Sequence, residues 1–519
     1  MLWPTAVPHV TRGMLASWSS LSYPKLCAAV LKLFVPIDDP EVSHADLDAI
    51  VLSAFSAFGS ASVVDVVGLE ASLHVAELWH GPTLAFKDLG MAVLGRTLSH
   101  LLARRRQRLT LLVGTSGDTG SSAIEAVRGL PAIEIVVLYP LQSFSSISAV
   151  QERQMTSVAE VEPNVHVIGV EGTSDDLDVP MEACFRDGRF KAAHHLGSVN
   201  SVNVLRLLVQ SVHFFYAYLR LEPTAEGTVQ LVIPCGAAGH LAAGLLAVQM
   251  GLPARLLAAT NANDALHRIL STGSLQSGVP TVSTVSPSMD IQMPYNLWRL
   301  LFVASGADGD AVRGWQAELA RTGSLQLPPH ICAWMSRHVR SVAVADDEAL
   351  GTMRAVHAAT GYVLDPHTAV GVAAAKRTPF DRDDAGGRAE PLVCMGCAHA
   401  VKFLPAVARA FGCEEAAALG MLGERSHPNV AAVRAMAQQL MAAAPTPPKR
   451  PTPWAPAAAA AGEGGRGAGR GMATTTLETP PGCTAVFRRG EDWEVKLRAL
   501  LGSVVARGRT ADGHPRSKL

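Results

Sequence analysis

His80-Gly81-Pro82-Thr83-Leu84-Ala85-Phe86-Lys87-Asp88 sets one lysine between a Gly-Pro turn signal and an apolar segment. A lysine held there is kept from bulk water, and desolvation lowers its pKa. In that state the amine is a nucleophile able to form a Schiff base with an aldehyde. An arbitrary lysine after a turn is a surface residue. What sets Lys87 apart is the pattern of strands and loops that follows it.

Leu73 to Leu78 predicts a short strand before the lysine, and Leu89 to Leu102 a helix after it. Leu109-Thr110-Leu111-Leu112-Val113 predicts a buried strand. It runs into the loop Gly114-Thr115-Ser116-Gly117-Asp118-Thr119-Gly120 and a helix from Ser121 to Val127. Further strands are predicted at Ile133 to Leu138, Val165 to Val170, Val229 to Ile233 and Arg255 to Thr260. The Val229 strand enters Pro234-Cys235-Gly236-Ala237-Ala238-Gly239-His240, then a helix from Leu241 to Met250. Strands alternating with helices indicate an α/β protein, with parallel sheets covered by helices on both faces.

Composition agrees with that class. The chain has 519 residues, of which 48% are hydrophobic and 17% charged, enough to bury large cores. A length of this order suggests roughly two to four domains. Lys+Arg is 44 against Asp+Glu 45, a formal net charge of -1, so nothing points to nucleic acid as a partner. Cys394 and Cys397 form one C-x-x-C, but no second cluster has matching spacing, so no metal site is expected. The eight cysteines read as mostly buried thiols in a reducing compartment. The most apolar long segment, Val199 to Leu219, is interrupted by Asn200, Asn203, Arg206, Gln210 and His213. It reads as a buried helix, and no membrane partner is expected. Lacking a clear targeting segment, the chain is expected in the cytoplasm.

The chain divides into five parts on this reading. Residues 1–75 are an N-terminal helical region. Residues 76–225 are an α/β domain with the reactive lysine, and 226–440 a second α/β domain. Residues 441–480 are a Pro/Ala/Gly linker expected to be disordered, and 481–519 a C-terminal helix and tail that returns to the main body.

Two of the strand-to-helix loops have the makings of anion sites. Thr115 to Gly120 combines small residues with hydroxyls ahead of a helix N-terminus, which suits an amino-acid carboxylate. Gly236 to Gly239 has no Lys-Ser/Thr pair, so it is not a nucleotide P-loop, but it could cradle one phosphate. Either loop alone could equally be a tight turn. With Lys87 they supply an imine, a carboxylate site and a phosphate site, the three anchors of a pyridoxal phosphate–amino acid adduct.

At this point the sequence resembles the threonine synthases, and most of all their animal threonine synthase-like branch, whose members resemble phospho-lyases. The blocks that carry the resemblance are Leu78 to Asp88, Gly114 to Ser121, Val150 to Thr156, Ser198 to Asn203 and Met289 to Asn296. The likeness spans about Leu15 to Phe411 and returns at Cys483 to Leu501. It implies a fold-type II pyridoxal-phosphate enzyme, similar to tryptophan synthase β, in which Lys87 is the catalytic Schiff-base lysine. It further implies that Gly236, Ala237, Ala238, Gly239 and His240 hold the cofactor phosphate. By the same likeness Thr115, Ser116, Gly117, Asp118 and Thr119 bind the substrate carboxylate. Asn200 and Asn203 match polar residues close to the cofactor, though both could instead cap a buried helix. A homodimer is the family's implication as well.

The chain departs from the family pattern in several places. His240 stands where Asn or Asp is usual, and Pro234-Cys235 where Pro-Thr or Pro-Ser is usual. Ser145-Ser146 replaces a Gly-Arg pair, which removes a bidentate partner for a substrate phosphate. Cys397 falls near the family's hydroxyl partner of the pyridine nitrogen, and a thiol is the poorer acceptor. The N-terminal block is also shorter than the family's.

The expected activity is loss of phosphate from O-phosphothreonine or O-phosphohomoserine to give 2-oxobutanoate, ammonia and phosphate. Two alternatives stay open: a true threonine synthase, and a catalytically weak homologue kept for binding or signalling.

Overall fold

The computed structural model describes residues 3–70, 72–174, 176–222, 224–378, 390–423, 427–443 and 479–510. The expectation of a disordered linker over 441–480 falls almost wholly outside them. Residues 441–443 end a helix, Pro428–Ala443.

Thirteen strands run in chain order among the described residues. They are β1 (Asp65–Gly68), β2 (Leu73–Glu77), β3 (Leu109–Gly114), β4 (Ile133–Pro140), β5 (Val165–Val170), β6 (Leu196–Gly197) and β7 (Val229–Pro234). Then come β8 (Ala254–Thr260), β9 (Ser274–Gln276), β10 (Ser324–Gln326), β11 (Val339–Ala343), β12 (Leu392–Gly396) and β13 (Ala485–Phe487).

They build two parallel sheets. The larger has the order β1-β2-β12-β7-β8-β11, and only its edge pair β1/β2 is antiparallel. The smaller has the order β13-β5-β4-β3-β6 and is parallel throughout. Every residue of β5 and β7 is buried, as expected of strands with helices on both faces. The short pair β9/β10 forms a separate antiparallel ribbon.

Strand β2 pairs with β12 from Leu73↔Leu392 to Glu77↔Gly396. The residues just before Lys87 therefore belong to the same sheet as β7, and the 75/76 boundary lies inside β2. The N-terminal region is helical at Arg12–Trp18, Tyr23–Lys32 and His44–Ala54, but it ends in β1. Tyr23 sets its ring edge against Phe55 and Tyr216, each at 5.3 Å, and so fastens these helices to the buried helix Val204–Leu221. That helix begins at Val204, five residues later than its apolar composition suggested. Asn203 caps it by accepting the Leu205 N–H at 3.1 Å.

β13 adds to β5, and Leu497, Leu501 and Val504 of the helix Trp493–Thr510 pack on Leu112, Val136 and Ile168. No helix among the described residues is long and apolar enough to cross a membrane.

Candidate active site

Ligands of open parallel sheets collect beyond the carboxyl ends of the strands. Here β3 of one sheet ends at Gly114 and β7 of the other at Pro234, and both ends open into one pocket. Its walls include Phe86, Lys87, Thr115, Asn200, Arg206 and His240.

The Gly81-Pro82-Thr83 turn is tied to Asp88. The Asp88 carboxylate accepts the Thr83 N–H at 2.8 Å and the Thr83 hydroxyl at 2.7 Å. A Cβ at position 81 would stand 2.4 Å from Asp88 Cβ, so only glycine fits. Leu84, fully buried, sits at φ 57, a strained backbone for a branched side chain. The Phe86 N–H donates to the Cys397 carbonyl at 2.8 Å, and the His399 N–H to Leu84 at 3.1 Å. These bonds press the lysine loop against the end of β12. Lys87 is then the first residue of the helix Lys87–Arg105. Burial lowers its pKa, and the positive end of its own helix disfavours an ammonium there as well.

Asp118 faces it. The helix expected from Ser121 starts three residues earlier, at Asp118, because Gly117 adopts φ 134. Its carboxylate gathers four donors. Lys402 Nζ lies 2.8 Å from Oδ1 and Gln151 Nε2 also 2.8 Å from Oδ1. The Ser288 hydroxyl lies 2.9 Å from Oδ2, and Lys87 Nζ 3.6 Å from Oδ2. Burial pushes this carboxyl up, but Lys402 and Lys87 outweigh burial and hold it well below the usual range.

The rest of that loop has divided roles. Thr115 Oγ1 accepts the Gly117 and Gly120 N–H groups, both at 2.9 Å, so it organises the loop. Thr115, Ser116, Asp118 and Thr119 line the pocket, while Gly117 forms the turn beneath it. First-turn N–H groups of a helix have no intrahelical partners; Thr115 takes that of Gly120, which leaves those of Asp118 and Thr119 to meet an anion.

On the opposite wall, Gly236, Ala237, Ala238, Gly239 and His240 lead into the helix Gly239–Gln249. Ala238 takes the left-handed region at φ 61. A Cβ on Gly236 would stand 3.1 Å from Ile291 Cδ1, and one on Gly239 3.0 Å from Ser201 Cβ. The His240 ring stacks on Phe86 at 4.7 Å, and its Nε2 lies 2.7 Å from His213 Nε2. Burial and the nearby Lys87 push the His240 pKa down to about 3.

Asn200 donates to the Gly114 carbonyl at 3.1 Å and keeps a buried Oδ1 without a partner at the pocket wall. Asn203 is not in the pocket wall; it caps the helix. Arg206, which the sequence reading passed over, is 3% exposed. It donates to the Val199 carbonyl at 3.0 Å, its Nε is unpartnered, and no carboxylate among the described residues pairs with it. Burial lowers its pKa to about 10. Cys397 lines the pocket as a thiol whose pKa burial raises, so it stays protonated. Thr368 Oγ1 accepts the Cys397 N–H at 3.0 Å. All eight cysteines are free.

Ser145 and Ser146 line a recess with Thr173, Ser174 and Ser283, which adjoins the main pocket through Ser116 and Ser174. Asp290 closes it, its carboxyl raised to about 6 by burial. Away from the pocket, Asp65, Glu77 and His80 bring potential ligand atoms within 4.8 Å of one another, where no metal was expected. His80 Nε2 lies 3.1 Å from Glu77 and 3.3 Å from Asp65, while its Nδ1 is buried without a partner.

The pocket fits pyridoxal phosphate on its own terms. It joins a buried amine, an anion cradle at a helix N-terminus and orphaned polar atoms on Asn200 and Arg206. Fold and site together define a fold-type II pyridoxal-phosphate enzyme. A sequence profile described as pyridoxal-phosphate dependent enzyme matches residues 66–386. Profiles for the threonine synthase N terminus and C-terminal region match 1–55 and 368–439. Threonine synthase-like 2 of Homo sapiens is 40% identical over 408 residues, 78% of this chain and 82% of that protein. Threonine synthase of Pseudomonas aeruginosa is 37% identical over 408 residues, 78% of this chain and 84% of that one. The crystal structure of PLP-bound threonine synthase from Brucella melitensis superposes with a TM-score of 0.72 at 34% identity. That match covers 84% of this chain and 92% of that one. The yeast enzyme superposes at 0.75 with 28% identity, covering 98% and 92%. The chain belongs to the threonine synthase family, and its cofactor is pyridoxal 5'-phosphate.

Proposed function

We propose that this enzyme is a phospho-lyase that converts O-phosphothreonine or O-phosphohomoserine, with one water, into 2-oxobutanoate, ammonia and phosphate. The observation that carries the reading is the meeting of Lys87, two helix N-termini and the Arg206 guanidinium in one pocket. Three anionic groups must be held there at once, one on the cofactor and two on the substrate.

The roles divide by position. Lys87 is the cofactor's attachment point. Pyridoxal phosphate, when bound, supplies an aldehyde for amine exchange and an electron sink for the substrate's α-carbon. The N-terminus of the Gly239–Gln249 helix holds the cofactor phosphate, with Gly236 to His240 as its cradle. Thr115 to Thr119 hold the substrate carboxylate. Asn200 offers its unpartnered Oδ1 to a donor on the bound pair. Lys87 Nζ, released by the substrate's amine, takes up the α-proton and returns a proton later. Its weakened basicity suits that work, because a buried amine is neutral at a lower pH than a solvated one. The departing phosphate faces the recess of Ser145, Ser146, Thr173, Ser174 and Ser283, where hydroxyls donate in place of an arginine. Arg206 adds the compensating positive charge from the other wall.

A second reading is threonine synthase itself, favoured by the matches to both terminal regions of that family. Incubation with O-phosphohomoserine, followed by product analysis, separates the two. The lyase reading expects keto acid and ammonia in equal amounts; threonine without keto acid contradicts it.

A further inference from the structure

Lys402 is completely buried, yet nothing in the proposed chemistry uses it. An unpaired buried ammonium is costly, so a lysine survives there only with strong partners. It has two. Its Nζ donates to Asp118 Oδ1 at 2.8 Å and to the Thr83 carbonyl at 2.7 Å. Thr83 belongs to the turn that aims Lys87, and Asp118 is the carboxylate facing Lys87 at 3.6 Å. One buried cation thus grips both supports of the reactive amine.

We propose that Lys402 is a positioning residue that sets how basic Lys87 is, acting through Asp118. The inference rests on Lys87 being the proposed base. Asp118 alone would form a complete ion pair with Lys87 and hold it as ammonium, which can neither join an aldehyde nor accept a proton. Lys402 already neutralises that carboxylate from the far side. Lys87 is left with a carboxylate near enough to receive a proton-bearing amine, yet too compensated to keep it charged. The hydrogen bonds from Lys402 and Gln151 to Oδ1 also fix the carboxylate plane, so that Oδ2 faces Lys87 and Ser288.

The other groups around Lys87 pull in both directions. Arg206, from the Val204–Leu221 helix, disfavours its charge as Lys402 does, while Asp118 favours it; the protonated Cys397 thiol carries no charge. His240, from the Gly239–Gln249 helix, is neutral, and His367 bears on Asp118 rather than on the amine. Among the described residues, only Lys402 combines a direct bond to Asp118 with a bond to the lysine turn.

The test uses the cofactor-free full chain, so it does not depend on turnover. Lys87 labelling by an amine-reactive ester, followed by mass spectrometry across pH, gives the titration midpoint of Lys87. Lys402→Met removes the charge and keeps the length. Its midpoint is expected to rise by about one pH unit, as for an amine newly facing an uncompensated carboxylate. The holoenzyme's pH–activity curve should move the same way on its acid side. An unchanged midpoint in folded Lys402→Met overturns the proposal, whatever the reaction products are. If that variant does not fold, Asp118→Asn is compared with the Asp118→Asn/Lys402→Met pair. With the carboxylate gone Lys402 has nothing to act through, so the two midpoints should nearly agree, and a shift of about one pH unit between them overturns action through Asp118. Absence of keto acid with a shifted midpoint would instead count against the lyase reading alone.

Discussion

The Nε2 atoms of His213 and His240 lie 2.7 Å apart, so the two buried rings share one proton between them. Burial lowers the pKa of both, and Lys87 lowers that of His240 further. Each folded pKa is therefore below the unfolded value of about 6.5. The unfolded chain binds more protons below that pH, so the pair's stabilisation is complete above about pH 6.5 and is lost as pH falls towards 3. The loss is at most about 1.4 kcal/mol per pH unit for each ring. Thermal unfolding followed from pH 7 to pH 5 should show His240→Asn losing less stability than the wild type. Identical slopes would mean that the pair titrates elsewhere.

Arg206 bears on affinity and stability in opposite ways. Replacing a buried, unpaired charge by a similar apolar volume removes a desolvation cost. Arg206→Met should raise the melting temperature of the cofactor-free protein. It should also weaken binding of a phosphorylated ligand by about 10- to 100-fold, the range for a lost charged hydrogen bond. Calorimetry and titration with O-phosphothreonine check both signs.

Gly81 offers a test of the lysine turn without touching a reacting group. Its missing Cβ would collide with Asp88 at 2.4 Å. Gly81→Ala should cost about 1–3 kcal/mol, as overpacking does, and should slow cofactor loading by displacing Lys87. Denaturant melts and the rate of growth of the imine absorbance report the two effects.

The readable part of the site was contiguous in the chain. Lys87, Thr115 to Thr119 and Gly236 to His240 stand in short runs whose turns and small residues announce themselves. The parallel strands β3, β4, β5, β7 and β8 were equally plain as apolar runs. Lys402, Gln151, Ser288 and Arg206 were not, because their significance is tertiary. Lys402 is an ordinary basic residue until β12 carries it beneath Asp118. Arg206 looked like an interruption in an apolar helix, and only its burial without a carboxylate gives it meaning. Two-to-five-residue strands such as β1, β6 and β13 have too few positions to show a period. The start at Asp118 was hidden because Gly117 lets the chain turn in a conformation that other residues avoid.

Two lysines face Asp118, and the chemistry requires the cofactor on only one of them. Borohydride reduction of the loaded protein, followed by peptide mapping, locates the bond. Lys87 should carry the adduct, and Lys87→Ala should give a colourless protein with no adduct and no keto acid from O-phosphothreonine. An adduct on Lys402, or a Lys87→Ala protein that keeps its absorbance and full turnover, would contradict the assignment.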